Sequence, residues 1–223
     1  MNPWRFARLL WFGAAGLALA INAGCGALFP KAAVQPSFYT LDSAPAGPRV
    51  EISSVSRGLT QAPTLIINPP SAASGFDSTH IIYAHGSHTH EYFAHSEWVD
   101  TPARMLAPLI VAAIERRGGF RAVLPAPSAA AGDLRLDTEI MRLMQDFVDK
   151  PSRVRFTLRA YMVDDATRRV IAWREFNETV AAESEDPYGG VVAANRAVQI
   201  VLEKLAEFCA EAAGSWQPAT PKR

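Results

Sequence analysis

The chain contains five histidines, and all of them lie between His80 and His95. Imidazole is a common ligand of zinc and other transition metals, so a cluster of this kind suggests a metal-binding site. Such a site needs three or four ligands held at fixed positions. The set best placed to bind zinc at a hairpin tip is His85, His88 and His90.

The position of these histidines in a predicted hairpin argues against a shared site. Two β-rich runs flank the turn sequence at residues 86–89. A four-residue turn pairs His80 with His95, and it also pairs His85 with His90. Because residues 80 and 85 differ by an odd number, the two pairs lie on opposite faces of the ribbon unless a bulge intervenes. We therefore expect hydrated turn histidines, able to make a pH-sensitive partner contact, and no metal or other cofactor.

Acid–base or nucleophilic catalysis has weak support in this sequence. Asp137, Glu139 and Asp146 are candidate paired carboxylates. Asp137 and Glu139 share the outward face of a predicted strand, opposite a row of arginines on the next strand: Arg153, Arg155 and Arg159. Cross-strand ion pairs of this kind contribute at most about 1 kcal/mol each, which indicates a structural role. The sequence has no Gly-x-Ser-x-Gly elbow and no phosphate-binding glycine loop, so we expect no enzymatic activity.

Two tryptophans are predicted to lie in the core, because large aromatic side chains are usually buried. Trp98 immediately precedes the first predicted helix, and a partner contact is the alternative. Trp173 shares a strand face with Ile171, and an exposed apolar groove is the alternative there. The four-residue hairpin turn also places Tyr83 opposite Tyr92.

Cys25 is the residue for which covalent chemistry is best indicated. Arg5 and Arg8 precede an uncharged apolar run over residues 9–21, and small residues lead up to the cysteine. This is the layout of a secretory signal, and the run is shorter than the ~20 residues of a membrane-spanning helix. A cysteine directly after Ala-Gly resembles the lipobox of bacterial lipoproteins, in which the thiol is acylated and becomes the mature N-terminus. Plain cleavage or a buried thiol are the alternatives.

Two neighbours of Cys25 refine this expectation. Asn22 occupies the position at which a lipobox usually carries leucine. In lipoproteins the residue after the cysteine directs sorting, and an aspartate there resembles an inner-membrane retention signal. This chain has Gly26 at that position. By that resemblance, we expect a palmitate-containing lipid anchor on the periplasmic face of the outer membrane.

Composition limits the classes of partner. The 223 residues contain 22 Lys and Arg against 22 Asp and Glu, so no net charge favours nucleic-acid binding. The other cysteine, Cys209, lies on a helical apolar stripe and is expected to pack as a small hydrophobic residue. A bond between Cys25 and Cys209 is an alternative only if Cys25 is not acylated.

The strands that position these residues follow from the alternation of apolar and polar side chains. We predict them at 50–56, 63–67, 80–98 as a hairpin, 120–124, 134–140, 153–162 and 168–180. Residues 71–78 are predicted to form a loop. At Ile140 and Met141 the parity of the apolar residues changes, which predicts a bulge or the end of the strand.

Two helices are predicted from apolar stripes with a period of 3.6 residues. The first begins at Thr101-Pro102 and ends at Gly118-Gly119, and Pro108 within it predicts a kink or a late start. Asp186-Pro187 caps the second, although Gly189-Gly190 weakens its first turn. Its predicted buried stripe is Val191, Ala194, Val198, Val201, Leu205, Phe208 and Ala212.

This order of elements predicts an α+β fold, in which a largely antiparallel sheet carries two helices on one face. We expect a signal peptide at 1–24 and the lipidated cysteine with a flexible tether at 25–36. A folded domain is expected at 37–215, followed by a tail at 216–223.

Several short motifs, in this order and behind this signal, resemble the ABC-type transport auxiliary lipoprotein family, which includes PqiC-like proteins. In the first half they are Phe38-Tyr39-Thr40-Leu41, Gly75-Phe76-Asp77-Ser78, Ile82-Tyr83, Tyr92-Phe93-Ala94, Glu97 to Ala103 and Gly119-Phe120. In the second half they are Gln145-Asp146-Phe147, Arg169-Val170-Ile171, Phe176 and Ala193 to Ala197.

The resemblance implies a non-catalytic periplasmic partner of an ABC transporter that carries an MCE-domain protein and moves lipids between the inner and outer membranes. It implies docking on the MCE-domain protein and allows a homo-oligomer, such as a ring. The residues expected at the partner interface are Tyr83, Tyr92 and Trp98. Two other functions fit the same anchor and domain: a regulator of a cell-wall or envelope enzyme, and a metal-binding lipoprotein that uses the histidine hairpin.

Overall fold

The computed structural model describes residues 35–42 and 62–218. The predicted signal peptide, Cys25, most of the tether and the predicted strand at 50–56 lie outside these residues. A compact unit begins at Pro36. Among the described residues, neither helix is long and apolar enough to cross a membrane.

The described part of the chain forms strands and helices in an α+β order. The strands are β1 (Ser37–Tyr39), β2 (Thr64–Ile67), β3 (Ser71–Ala72), β4 (His80–Ala84), β5 (Glu91–Trp98), β6 (Ala122–Pro125), β7 (Leu134–Asp146), β8 (Arg153–Asp164) and β9 (Arg169–Ala181). The helices are α1 (Pro102–Arg117) and α2 (Pro187–Ser215). The predicted loop at 71–78 therefore contains one short strand.

The long strand β7 organises the sheet. One of its edges pairs antiparallel with β8, which in turn pairs antiparallel with β9. The other edge pairs parallel with β2, β3 and β4, one after another along its length. β6 extends the sheet beyond β2, and β5 and β1 extend it beyond β4. The predicted fold class, with a mostly antiparallel mixed sheet and two helices, is confirmed.

A bulge in β7 keeps one face of that strand apolar. Leu136 and Ile140 face the core, and the pairing with β8 shifts between Ile140 and Arg142. After the shift, Leu143 lies opposite Phe156, and both are buried. The predicted change of parity is thus a bulge, because a regular strand would turn Leu143 towards solvent.

The helix boundaries match the capping signals. α1 begins at Pro102 and ends before Gly118, whose φ is 76°. The helix continues through Pro108, so the predicted late start at that proline was wrong. In α2, Asp186 accepts a hydrogen bond from the Gly189 amide at 2.7 Å, as expected for an N-cap. The positive end of the amide dipoles at the helix N-terminus faces this carboxylate, and the hydrogen bond from Gly189 lowers the pKa of Asp186.

α2 covers β7, β8 and β9, and α1 packs beside it. All seven residues of the predicted α2 stripe are buried, and Cys209 is fully buried among them. The core also contains Trp98, as predicted. Trp173 is 63% exposed, so its predicted burial was wrong. It lies in β9 at an odd position, whereas Phe176, at an even position, faces the helices.

Candidate partner-binding surface at the β4–β5 hairpin

The β4–β5 hairpin has a different register from the predicted one. His80 pairs with Glu97 rather than His95, and Tyr83 pairs with Glu91 rather than Tyr92. The strands end at Ala84 and resume at Glu91, so the turn is longer than the predicted four residues.

An irregularity in β5 causes the shifted pairing of His80, whereas the pairing of Tyr83 with Glu91 is set by the turn. His80 pairs with Glu97 and Ile82 with Tyr92, so β5 advances by five residues where β4 advances by two. The extra residues include Phe93, which is half-buried and packs against the core. A bulge of this size cannot be inferred from turn residues, because it depends on what Phe93 contacts in three dimensions.

Phe93 belongs to an aromatic cluster with Tyr83, His85 and Phe147. The Tyr83 ring centroid lies 4.4 Å from that of Phe93 and 5.8 Å from that of Phe147. The His85 ring stacks on Phe147 at 5.2 Å. We name these four residues the hairpin aromatic cluster. Their side chains are only partly covered, so the cluster presents aromatic edges at the surface.

Glu91 connects the polar atoms of this cluster. The Tyr83 hydroxyl donates a hydrogen bond to Glu91 Oε2 at 2.9 Å, and His85 Nδ1 lies 3.7 Å from Glu91 Oε1. The hydrogen bond to the Glu91 carboxylate raises the pKa of Tyr83, because the phenol is the donor and the phenolate would be repelled. Tyr83 therefore acts as a neutral hydrogen-bond donor rather than as a base.

Tyr92 lies apart from this cluster. Its ring stacks on His80, with centroids 4.3 Å apart and planes at 12°. The side chain of Tyr92 is 57% exposed. The hairpin thus has two aromatic surfaces, one around Tyr83 and one around Tyr92, instead of the single tyrosine pair predicted from the sequence.

Trp98, the third predicted interface residue, supports the hairpin from the core. It is only 4% exposed. With Gln145 and Gly190 it lines a cavity of about 10 Å³, which is large enough for no more than one water molecule. This cavity is too small for a lipid or a cofactor.

Gln145 connects the hairpin region to the start of α2. Its amide Nε2 donates to Ser152 Oγ at 3.0 Å and to the Asp186 carbonyl at 3.4 Å. The Gln145 side chain is 2% exposed, and its Oε1 has no hydrogen-bond partner among the described residues. Gly190 approaches this amide so closely that a Cβ there would collide with it. The double glycine that weakens the helix signal is therefore required by packing.

The histidines are dispersed over the hairpin. His85 packs on Phe147, whereas His90 lies 5.7 Å from Phe76, between ring centroids. His88 adopts a φ of 74° in the turn. Within the described ranges, no three or more His, Cys, Asp or Glu side chains are grouped to hold a metal ion.

Of the candidate carboxylates, Asp146 forms an ion pair across the sheet, whereas Asp137 pairs with an arginine of its own strand. Asp146 pairs with Arg155 at 2.8 Å, and Arg159 pairs with Glu175 of β9 at 2.8 Å. Asp137 accepts hydrogen bonds from Asn68 and Arg135. Ion pairs that water still reaches, as it does Arg155, contribute little to stability.

Sequence reasoning missed Phe93, Phe147 and Gln145 as members of this site. One signal was available for Phe147, because the parity change near Met141 places it on the same strand face as Leu143. No local signal was available for Phe93 or Gln145, whose positions depend on the bulge and on α2.

The fold has solved counterparts. A crystal structure of a Xanthomonas campestris protein of family DUF330 matches with a TM-score of 0.65 and 22% identity, covering 79% of this chain and 96% of that chain. A second crystal structure, of an uncharacterized protein, matches with a TM-score of 0.60 and 10% identity, covering 78% and 99%. At these identities the likeness shows a shared fold. No curated protein matches the sequence.

The family follows from the sequence match. The model of the ABC-type transport auxiliary lipoprotein component matches residues 39–206, which include every strand from β2 to β9, the hairpin aromatic cluster and most of α2. This chain therefore belongs to the ABC-type transport auxiliary lipoprotein component family.

Proposed function

We propose that this chain is the non-catalytic component of an MCE-type ABC transporter that moves lipids between the inner and outer membranes. In this role it is anchored by a lipid on Cys25 to the periplasmic face of the outer membrane. The observation that supports the proposal is the family match over residues 39–206 directly behind a lipobox-like cysteine.

The hairpin is the surface that we propose for docking the MCE-domain protein. Tyrosine and phenylalanine are enriched in the cores of protein interfaces, and the hairpin aromatic cluster presents both. Tyr83 is held by Glu91, and Tyr92 is held by its stack on His80, so little side-chain freedom is lost on binding. Trp98, the last residue of β5, is buried and fixes that end of the strand in the core.

Site-specific photo-crosslinking in intact envelopes tests this proposal. A photoreactive phenylalanine analogue at Tyr83, in the hairpin aromatic cluster, or at Tyr92, on the second aromatic surface, is expected to capture an MCE-domain protein at native expression. The same analogue at Trp173, which is 63% exposed on β9, is the matched control and is expected to capture none. Capture of a cell-wall synthase from either tyrosine position, or no capture from both, would count against the MCE partner.

A further inference from the structure

Two exposed apolar side chains lie at the β1 edge of the sheet. Phe38 is 60% exposed and Val99 is 57% exposed. β1 pairs parallel with β5, with Phe38 opposite Glu97, and the Val99 amide donates to the Tyr39 carbonyl at 2.8 Å. Since neighbouring residues of a strand point to opposite faces, Phe38 and its partner Glu97 lie on the side opposite Tyr39. The exposed apolar residues of this edge are therefore Phe38, within β1, and Val99, directly after β5. We name this pair the tether-proximal patch.

The patch lies where the tether enters the folded body. β1 is the first element of the described chain, and Cys25 lies twelve residues before Ser37. A chain of that length spans at most about 40 Å. A lipid on Cys25 would therefore keep the β1 edge within about 40 Å of the membrane surface.

β1 is fixed to the body, so the position of this edge also sets the position of the domain. Leu41, which follows β1, is 4% exposed in the core. Asn195 of α2 accepts a hydrogen bond from the Asp42 amide at 2.7 Å and donates one to the Thr40 carbonyl at 3.2 Å. These contacts prevent β1 from acting as a further length of tether.

We propose that the tether-proximal patch inserts into the headgroup region of the phospholipid membrane that holds the anchor, and so orients the domain on it. This inference rests on the lipid anchor of the proposed function. A protein partner is a poorer fit, because two side chains bury much less area than the roughly 800 Å² per partner that a stable complex needs. A tethered surface requires much less, since the anchor makes the second contact intramolecular.

A single fluorophore beside the patch tests the inference in the lipidated full-length chain. Val99→Cys provides the labelling site, and Val170→Cys, at 55% exposure on β9, is the matched control. Cys209 does not compete for the label, because it is fully buried and burial raises its pKa to about 12. Each variant carries an environment-sensitive dye and is reconstituted into phosphatidylethanolamine–phosphatidylglycerol vesicles that contain spin-labelled lipid.

We expect spin-labelled lipid to reduce the emission from position 99 at least twofold and to leave position 170 unchanged. Phe38→Ser, added to the Val99→Cys variant, is expected to halve that quenching. Equal quenching at both positions would indicate non-specific adsorption and would overturn membrane docking. A blue shift at position 99 without quenching by lipid would indicate that protein covers the patch, and it would overturn membrane docking as well.

Flotation of the same vesicles separates failure of the inference from failure of the anchor. Protein that floats with the vesicles but shows no quenching at position 99 retains the anchor and contradicts only the docking. Protein that does not float contradicts the lipid anchor and, with it, the inference that rests on it.

Discussion

Gly190 lies where α2 passes over β7, facing the carboxamide of Gln145. The hydrogen bonds of Gln145 to Ser152 and to the Asp186 carbonyl leave this amide little freedom to move aside. The Gln145 side chain therefore connects the end of β7 to the β7–β8 connection and to the start of α2. This arrangement requires that residue 190 has no Cβ.

Gly190→Ala is expected to lower the free energy of unfolding by about 1–3 kcal/mol, because the overpacking cost exceeds the gain in helix propensity. Urea denaturation provides the measurement. Gly214→Ala in the same helix is the control, since a Cβ there meets nothing within 4 Å. It is expected to be neutral or to stabilise by up to about 1 kcal/mol. Equal effects of the two substitutions would contradict the steric explanation.

Cys209 shows how burial controls a thiol. Burial raises its pKa from 9.0 to about 12, because the thiolate would lose its hydration. In a Cys25→Ser chain, we expect no alkylation of Cys209 at pH 8 under native conditions and complete alkylation in denaturant. Rapid alkylation of the native protein would show that this part of the core opens.

The same thiol predicts a dependence of stability on pH. From pH 9 upwards the unfolded thiol ionises while the folded one does not, so the raised pKa removes stability as the pH rises towards 12. The loss amounts to about 1.4 kcal/mol per pH unit. Cys209→Ala is expected to remove this contribution, measured as the difference in unfolding free energy between pH 8 and pH 10. An unchanged difference would contradict it.

At the scale of elements, Asp164 joins the end of β8 to the end of α2. Its carboxylate accepts hydrogen bonds from Trp216 Nε1 at 2.8 Å, from the Thr167 amide at 2.7 Å and from Thr167 Oγ1 at 2.8 Å. These bonds, that of Trp216 first, lower the pKa of Asp164. The β8–β9 turn and the last turn of α2 are thereby held by one buried charge.

Trp216→Phe is expected to cost about 1.5–3 kcal/mol at pH 7, since a hydrogen bond to a charged group is lost. A lowered pKa contributes stability above the ordinary value of 3.8, and that contribution is lost as the pH falls through the folded-state pKa. The difference between wild type and Trp216→Phe in urea unfolding should therefore shrink below pH 4. A difference that is constant from pH 7 to pH 3 would contradict this assignment.

Element types were well predicted because their signals are local. The N-cap Asp186, the stripe of α2 and the parity change in β7 each lie within a few residues of the structure that they specify. The hairpin register was not predictable in this way, since the irregularity in β5 depends on the burial of Phe93 against Tyr83 and Phe147. That contact joins β5 to the end of β7, far away in the sequence.

At the scale of the whole molecule, anchoring and folding are expected to be separable. The compact unit begins at Pro36, and Cys25 lies before it. Cys25→Ser should move the protein from the membrane fraction to the soluble periplasmic fraction while leaving its thermal unfolding midpoint unchanged. Fractionation and thermal melts provide the two measurements, and a variant that stays with the membrane would contradict lipidation at Cys25.

The sequence by itself determined the α+β order, both helices and the family, because periodicity, capping and motif order are properties of short segments. It also supports an anchor at Cys25. Only the tertiary structure decided that Tyr83 and Tyr92 occupy separate surfaces, that Trp98 is buried while Trp173 is exposed, and that Gly190 must be glycine. These outcomes depend on which distant residues pack together across the sheet. The alternation of apolar and polar residues in a strand does not specify them, because it is the same whichever strand pairs with it.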